Sequence, residues 1–152
     1  MLRFKKRRDQ LERRLKNAIE NLTREEFGFR KVGKAWVSET LLYQIVSRLF
    51  ARYEVIHHHR PDWLDGLELD IFVPELQLGI EYQGQQHFHP IAAWGGVAAL
   101  RTLQRRDQEK RMKCEAAGVT LVEVDYTEPL TEDYIRKRLL EAGINDDRVF
   151  RG

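Results

Sequence analysis

Cysteine is nearly absent: Cys114 is the sole one in 152 residues, which excludes a disulfide framework and any cysteine-rich zinc site. Long apolar runs are missing too. No stretch approaches the roughly 18 apolar residues of a membrane-spanning helix, and no apolar signal segment follows the charged first residues. Charge of one sign is in short supply, with 26 basic side chains against 24 acidic ones for a net +2. There is no internal repeat, no low-complexity tract and no linker that sets off a second folded domain. These absences lead us to expect a soluble, cytoplasmic protein with no membrane partner. What is present, 42% hydrophobic residues, suffices for one folded domain with a real core and argues against global disorder.

The near-neutral balance hides an asymmetry. Residues 1–34 carry twelve basic and five acidic side chains, +7, which leaves −5 for the remainder. Lys5, Lys6, Arg7 and Arg8 lead this stretch, and a second basic cluster comprises Arg101, Arg105, Arg106, Lys110, Arg111 and Lys113. Such concentrations attract polyanions, nucleic acid first among them. Solvated helix faces that merely aid solubility explain the same clusters equally well.

Periodicity divides the chain into elements. Phe4, Leu11, Leu15, Ala18, Ile19 and Leu22 recur at helical spacing, predicting an amphipathic helix from about Arg3 to Phe27. Gly28 and Gly33 bracket a loop. A second helix is expected from an N-cap at Ser38 to about Arg52, with Leu41, Leu42, Ile45, Val46, Leu49 and Phe50 buried and Glu39 in its first turn. Strands are expected at Tyr53–His58, Leu67–Val73 and Leu78–Gln83, then a polar, Gly-rich loop from Gly84 to Gly96. A helix over Val97–Ala117 ends at Gly118, a buried strand covers Val119–Asp125, and a last helix over Thr131–Ala142 ends at Gly143. The order reads α-α-β-β-β-α-β-α.

One stretch carries chemistry. If residues 69–83 form a hairpin with its loop at Pro74–Gln77, Val73 faces Leu78, Ile71 faces Ile80, Leu69 faces Tyr82, and Asp70 faces Glu81. Alternation then gathers Leu69, Ile71, Val73, Leu78, Ile80 and Tyr82 on one apolar face, and Asp70, Glu81 and Gln83 on the other. Like charges directly opposed destabilise a sheet. A divalent cation such as Mg²⁺, which binds through one or two carboxylates, supplies the compensating charge. The register follows from the apolar face alone, yet it brings the acids together.

An acid, a short turn, then Glu-x-Lys or a polar substitute on the next strand resembles the PD-(D/E)xK restriction-endonuclease-like nucleases. The run Gly79-Ile80-Glu81-Tyr82-Gln83-Gly84-Gln85-Gln86-His87-Phe88, followed by Arg106-Asp107, Lys110 and Cys114, then Gly118-Val119-Thr120-Leu121-Val122, is similar to one branch of them. That branch comprises phage homing-type endonucleases related to the very short patch repair endonuclease. The resemblance covers about Ser38 to Asp125. It implies an α/β fold with a restriction-endonuclease-like α-β-β-β-α-β core and a mixed central sheet over residues 35–152, carrying a final helix and preceded by a basic helical extension over residues 1–34.

It also implies roles. Asp70 and Glu81 would hold Mg²⁺, for which Mn²⁺ can substitute, and Glu39 matches the family's helix-borne acid, a ligand through water. Gln83 takes the usual lysine position; a glutamine can orient a water or phosphate but carries no charge. His87 is the natural replacement as general base or acid, since an imidazole titrates near neutrality. His89 is a weaker candidate, and a bystander loop histidine is the plainer alternative for either. Asp107 and Lys110, one helical turn apart, would support the site or form a local ion pair. Trp94 would stack on DNA, or anchor its loop. Lys5, Lys6, Arg7, Arg8, Arg105, Arg106 and Lys110 would grip the phosphate backbone.

Other features are decoys by this reading. Pro61-Asp62 spells the family's "PD" but sits in a turn, without the alternation around Asp70. His57, His58 and His59 belong to a sheet edge or a substrate-facing strand, with no cysteine or HxxxH partner to support zinc. Cys114 reads as a small core residue. The expected activity is Mg²⁺-dependent hydrolysis of DNA phosphodiester bonds, nicking one strand or cutting both, with a homodimer or partner protein supplying specificity. Two alternatives stand beside it: a catalytically weak nuclease-fold module that binds nucleic acid or a protein, and an RNA-binding or scaffold protein whose acids are incidental.

Overall fold

The structure, a computed structural model, describes residues 9–16 and 32–145. Its contacts separate into two units, divided between Val37 and Ser38. In the first, residues 9–16 are helical and form α1. This agrees with the expected N-terminal helix; the rest of that helix, with Lys5, Lys6, Arg7 and Arg8, lies outside the described residues.

The elements that follow are α2 (Val32–Leu49), β1 (Ile56–His59), β2 (Leu69–Val73), β3 (Leu78–Gln83), α3 (Gly96–Ala116), β4 (Thr120–Asp125) and α4 (Glu132–Glu141). The order matches expectation, with two corrections in α2. Helix runs straight through Ser38, so Ser38 caps nothing and Glu39 lies in the interior rather than the first turn. Leu41 is exposed. The Leu42, Ile45, Val46, Leu49 spacing alone sets the buried stripe.

The sheet has the order β1-β2-β3-β4, antiparallel up to β3 and parallel between β3 and β4. It is mixed, as expected. The β3–β4 connection is α3, because parallel neighbours need a crossover. With strands on both sides, β3 is buried along its whole length, whereas β1 is an edge. Among the described residues no helix is long and apolar enough to cross a membrane.

Two apolar clusters hold the layers. On one face Ile71, Val73, Leu78, Ile80, Tyr82, Val122 and Val124 pack against Leu42, Ile45, Val46, Leu49 and Phe50 of the α2 region and Ile135 and Leu139 of α4. On the other, Leu64, Leu69, Phe72 and Val119 pack with Cys114 of α3. The hairpin register is the one its apolar residues dictate: Val73 opposes Leu78 and Ile71 opposes Ile80, across a 3₁₀ turn at Pro74–Leu76 closed by left-handed Gln77 (φ 47°). Leu69 departs from expectation. It lies in the α3-side cluster, where a Cβ on Gly79 would meet Leu69 Cδ1 at 3.3 Å and Leu121 Cδ1 at 3.4 Å. That glycine leaves room for Leu69 to cross to its face.

Turn chemistry ends the later elements where the sequence signals it. Gly118 (φ 72°) follows α3, with Val119 N–H donating to Cys114 O. Gly143 (φ 94°) follows α4, with Ile144 N–H donating to Leu139 O. Both left-handed positions favour glycine. Thr131 caps α4, its Oγ1 accepting the Tyr134 N–H at 3.3 Å.

Candidate active site

Where the β2–β3 ladder passes Ile71 and Ile80, its next donor turns aside: Tyr82 N–H donates to Asp70 Oδ2 at 2.8 Å. This bond draws the Asp70 carboxyl toward β3 and into hydrogen-bond contact with the Glu81 carboxyl. Glu81 is 7% exposed. Burial above all, then the Asp70 charge, pushes its pKa up to about 9 against the pull of Lys110. Even with the Lys110 ammonium beside it, a carboxyl so placed keeps its proton at neutral pH unless a divalent ion displaces it.

Lys110 is the nearest charge. Its Nζ donates to Glu81 Oε1 at 2.9 Å, and the ammonium is largely shielded from solvent. Lys110 therefore sits at the acid pair rather than on the open backbone-gripping face. Gln83, 6% exposed, stands on the same side of the sheet, but its amide donates to Glu123 Oε2 at 2.5 Å. Glu123 also takes a two-pronged contact from Arg111, Nε to Oε1 at 2.5 Å and Nη2 to Oε2 at 2.8 Å. So a cation reaches the acids from α3, while the residue at the usual lysine position is tied sideways.

One turn of α3 earlier, Asp107 is buried and its Oδ2 lies 2.8 Å from His87 Nδ1. Asp107 and Lys110 thus face the sheet together and pair with His87 and Glu81, not with each other. The 3₁₀ turn Gln85–His87, just past β3, presents the imidazole. In the tautomer whose Nδ1–H donates to Asp107, Nε2 keeps a lone pair. His89 is committed elsewhere, its Nε2 lying 3.1 Å from the Tyr126 hydroxyl.

Glu39 does not join Asp70 and Glu81 as a third ligand in contact. Its Oε1 lies 3.0 Å from His57 Nε2 and 3.3 Å from His58 Nε2. Burial first, then Asp70, raises its pKa, with the two histidines opposing. The fields of the acids overlap even though Glu39 turns to the edge strand. Trp94 ends a 3₁₀ turn and lines, with Gln86, Leu103 and Arg106, an apolar cleft of about 550 Å³. Arg105 and Arg106 project from α3 into solvent. Burial pushes the Cys114 thiol up to about 11, an inert core residue as expected.

The sequence did not reveal Glu123, Glu68, the pairing of Arg111 with Glu123 or the alliance of Glu39 with the histidines. Glu123 carried one signal: a glutamate inside the apolar run Leu121–Val124 of a short strand. The histidines carried none, because their meeting with Glu39 depends on tertiary packing.

Comparison with known proteins adds relatives. The chain is 41% identical over 102 residues to Uncharacterized protein 094L of Frog virus 3, covering 64% of each chain. It is 35% identical over 102 residues to Uncharacterized protein 307L of Invertebrate iridescent virus 6, covering 59% of this chain and 52% of the relative. Uncharacterized protein 033L of Invertebrate iridescent virus 3 is 41% identical over 83 residues, 52% of this chain and 42% of its own. The chain thus spans about two fifths to two thirds of these relatives' lengths. No protein-family model matches it, and no solved structure does.

Proposed function

We propose that the chain is a Mg²⁺-dependent endonuclease of restriction-endonuclease-like fold that hydrolyses DNA phosphodiester bonds. The observation that carries this reading is the Asp70–Glu81 carboxyl pair, with Lys110 Nζ 2.9 Å from Glu81. The α-β-β-β-α-β order around a mixed sheet agrees with it.

The donor set fits a hard cation: two carboxyls pressed together, one of them half-way to solvent and the other buried with its pKa raised. Asp70 and Glu81 would hold Mg²⁺ or Mn²⁺, with Glu39 close enough to contribute charge. A metal there supplies Lewis acidity toward a phosphoryl oxygen. Lys110 adds a fixed positive charge where negative charge grows on the phosphate, and a positioned donor of this kind contributes about 10²–10³ in rate. His87 Nε2 takes or returns a proton while Asp107 holds Nδ1–H and the ring's orientation. Gln83, whose amide donates to Glu123, stands beside the acids and moves no proton. Arg105 and Arg106 meet the phosphate backbone, which gives salt-dependent affinity with little sequence preference.

Glutamine at the usual lysine position favours the alternative, a nuclease-fold module that only binds. Lys110 answers it by bringing an ammonium to the acids from α3. The test is nicking of supercoiled plasmid with Mg²⁺, Mn²⁺ or EDTA. The proposal expects metal-dependent cutting that Glu81→Gln abolishes while gel-shift binding persists. Wild-type protein that binds DNA and cuts nothing with either metal supports the binding module instead.

A further inference from the structure

Beside the acid pair lies a second cluster with different chemistry. We propose that His57, His58 and Glu39 form a binding site for a divalent transition-metal ion, Zn²⁺ by its donor set, which needs neither Glu81 nor Lys110.

Neighbouring residues of a strand point to opposite sides, so His57 and His58 should not share a partner. They do so because His58 adopts φ 57°, a left-handed conformation unfavourable for a side chain with a Cβ. The turn swings its ring over that of His57, centroids 3.8 Å apart, and aims both Nε2 atoms at Glu39 Oε1. Tyr43 stacks on the outer side of His57 at 4.4 Å and fixes that ring.

The spacing suits a metal. Zinc takes imidazole nitrogen and carboxylate oxygen at about 2.0–2.2 Å, so neighbouring ligand atoms of a tetrahedral site stand about 3.3 Å apart. The separations are 3.0 Å and 3.3 Å from Glu39 Oε1 to the two nitrogens, and all three ligand atoms lie within 4.8 Å of one another. Two histidines and one carboxylate leave a coordination position open, as in reactive rather than purely structural sites.

The proton inventory points the same way. His58 Nδ1 lies 2.7 Å from Glu68 Oε1, and Arg60 Nε holds the other oxygen of that carboxylate at 2.9 Å. An Nδ1–H donated to Glu68 leaves the Nε2 lone pair facing a carboxyl oxygen of Glu39, a contact that either a proton shared with Glu39 or a metal ion between them satisfies. Metal-bound histidines are oriented in this way, the far nitrogen donating to a carboxylate. The rival is a proton shared between Glu39 and His58 Nε2.

Co²⁺ is the probe, titrated into the full chain and followed by its visible d–d bands, with Zn²⁺ as competitor. The proposal expects one equivalent of Co²⁺ with strong tetrahedral bands, displaced by Zn²⁺, apart from any weakly absorbing octahedral Co²⁺ at Asp70 and Glu81. His58→Gln and His57→Gln should each weaken binding at least tenfold. Glu68→Gln, which keeps every ligand and tests the site should a histidine variant fail to fold, should weaken it about 10–100-fold. Glu81→Gln should leave it intact. Folded wild-type protein without tetrahedral Co²⁺ bands overturns the proposal and leaves a shared proton in the site. Binding that survives His58→Gln and Glu68→Gln, or vanishes in Glu81→Gln, overturns it as well. Metal-dependent plasmid cutting without tetrahedral Co²⁺ bands defeats this site alone, and tetrahedral Co²⁺ binding without cutting defeats the nuclease reading alone.

Discussion

Glu81 is the residue on which chemistry and stability meet. Its carboxyl has a native pKa of about 9, far above the ordinary carboxylate value, so the unfolded chain releases this proton well before the folded one. Between about pH 4.5 and pH 9 the unfolded state therefore binds fewer protons, and folding stability falls as pH rises. Glu81→Gln removes the penalty. It should raise Tm at pH 8 by about 4–8 °C, on the order of 2 kcal/mol, with a gain that shrinks toward pH 5. Thermal melts across this range measure it, and a gain equal at pH 5 and pH 8 would contradict the assignment. Lys110→Met should lower the cleavage rate about 10²–10³-fold with DNA affinity nearly unchanged, measured by single-turnover cleavage beside a gel shift. His87→Ala should cost about 10²–10⁴ and flatten the limb of the pH–rate profile that reports the imidazole, whereas Asp107→Asn should cost less and shift that limb.

At the scale of elements, α3 does most to assemble the site. One face buries Cys114 and brings Asp107 to His87 and Lys110 to Glu81; its exposed side carries Arg105 and Arg106. Replacing both arginines by glutamine should reduce the slope of log affinity against log salt by about 2, since each phosphate contact contributes about 0.9. A binding titration over a salt series reads this directly. The element order and the hairpin register were legible because Ile71, Val73, Leu78 and Ile80 allow only one alignment that buries them all. Asp107 and Lys110 were legible as a pair through their helical spacing, but their partners were not, since those sit on β3 and beyond it. The start of α2 escaped because Ser38 imitates a cap while the residues before it continue the helix. Leu69 escaped because its crossing depends on the absent side chain of Gly79, a tertiary fit that no periodicity records.

Across the unit from Ser38 onward, a four-stranded mixed sheet covered by α2 and α4 on one face and α3 on the other places charged groups where β2 and β3 part at Asp70. The apolar faces hold the layers, and the polar end of the sheet collects Asp70, Glu81, Glu39 and their cationic partners into one region. Asp70 and Glu81 set side by side repel one another unless a proton or a cation joins them, and the proposed function places a divalent ion there. The ion must displace the Glu81 proton, so its apparent affinity should rise with pH. Calorimetric titration of Mg²⁺ into the wild-type chain at pH 6, 7 and 8 tests this most directly, with Asp70→Asn alongside. Binding should tighten toward about tenfold per pH unit and be lost in Asp70→Asn. Binding that is independent of pH, or that survives Asp70→Asn unchanged, would contradict a shared ion at Asp70 and Glu81.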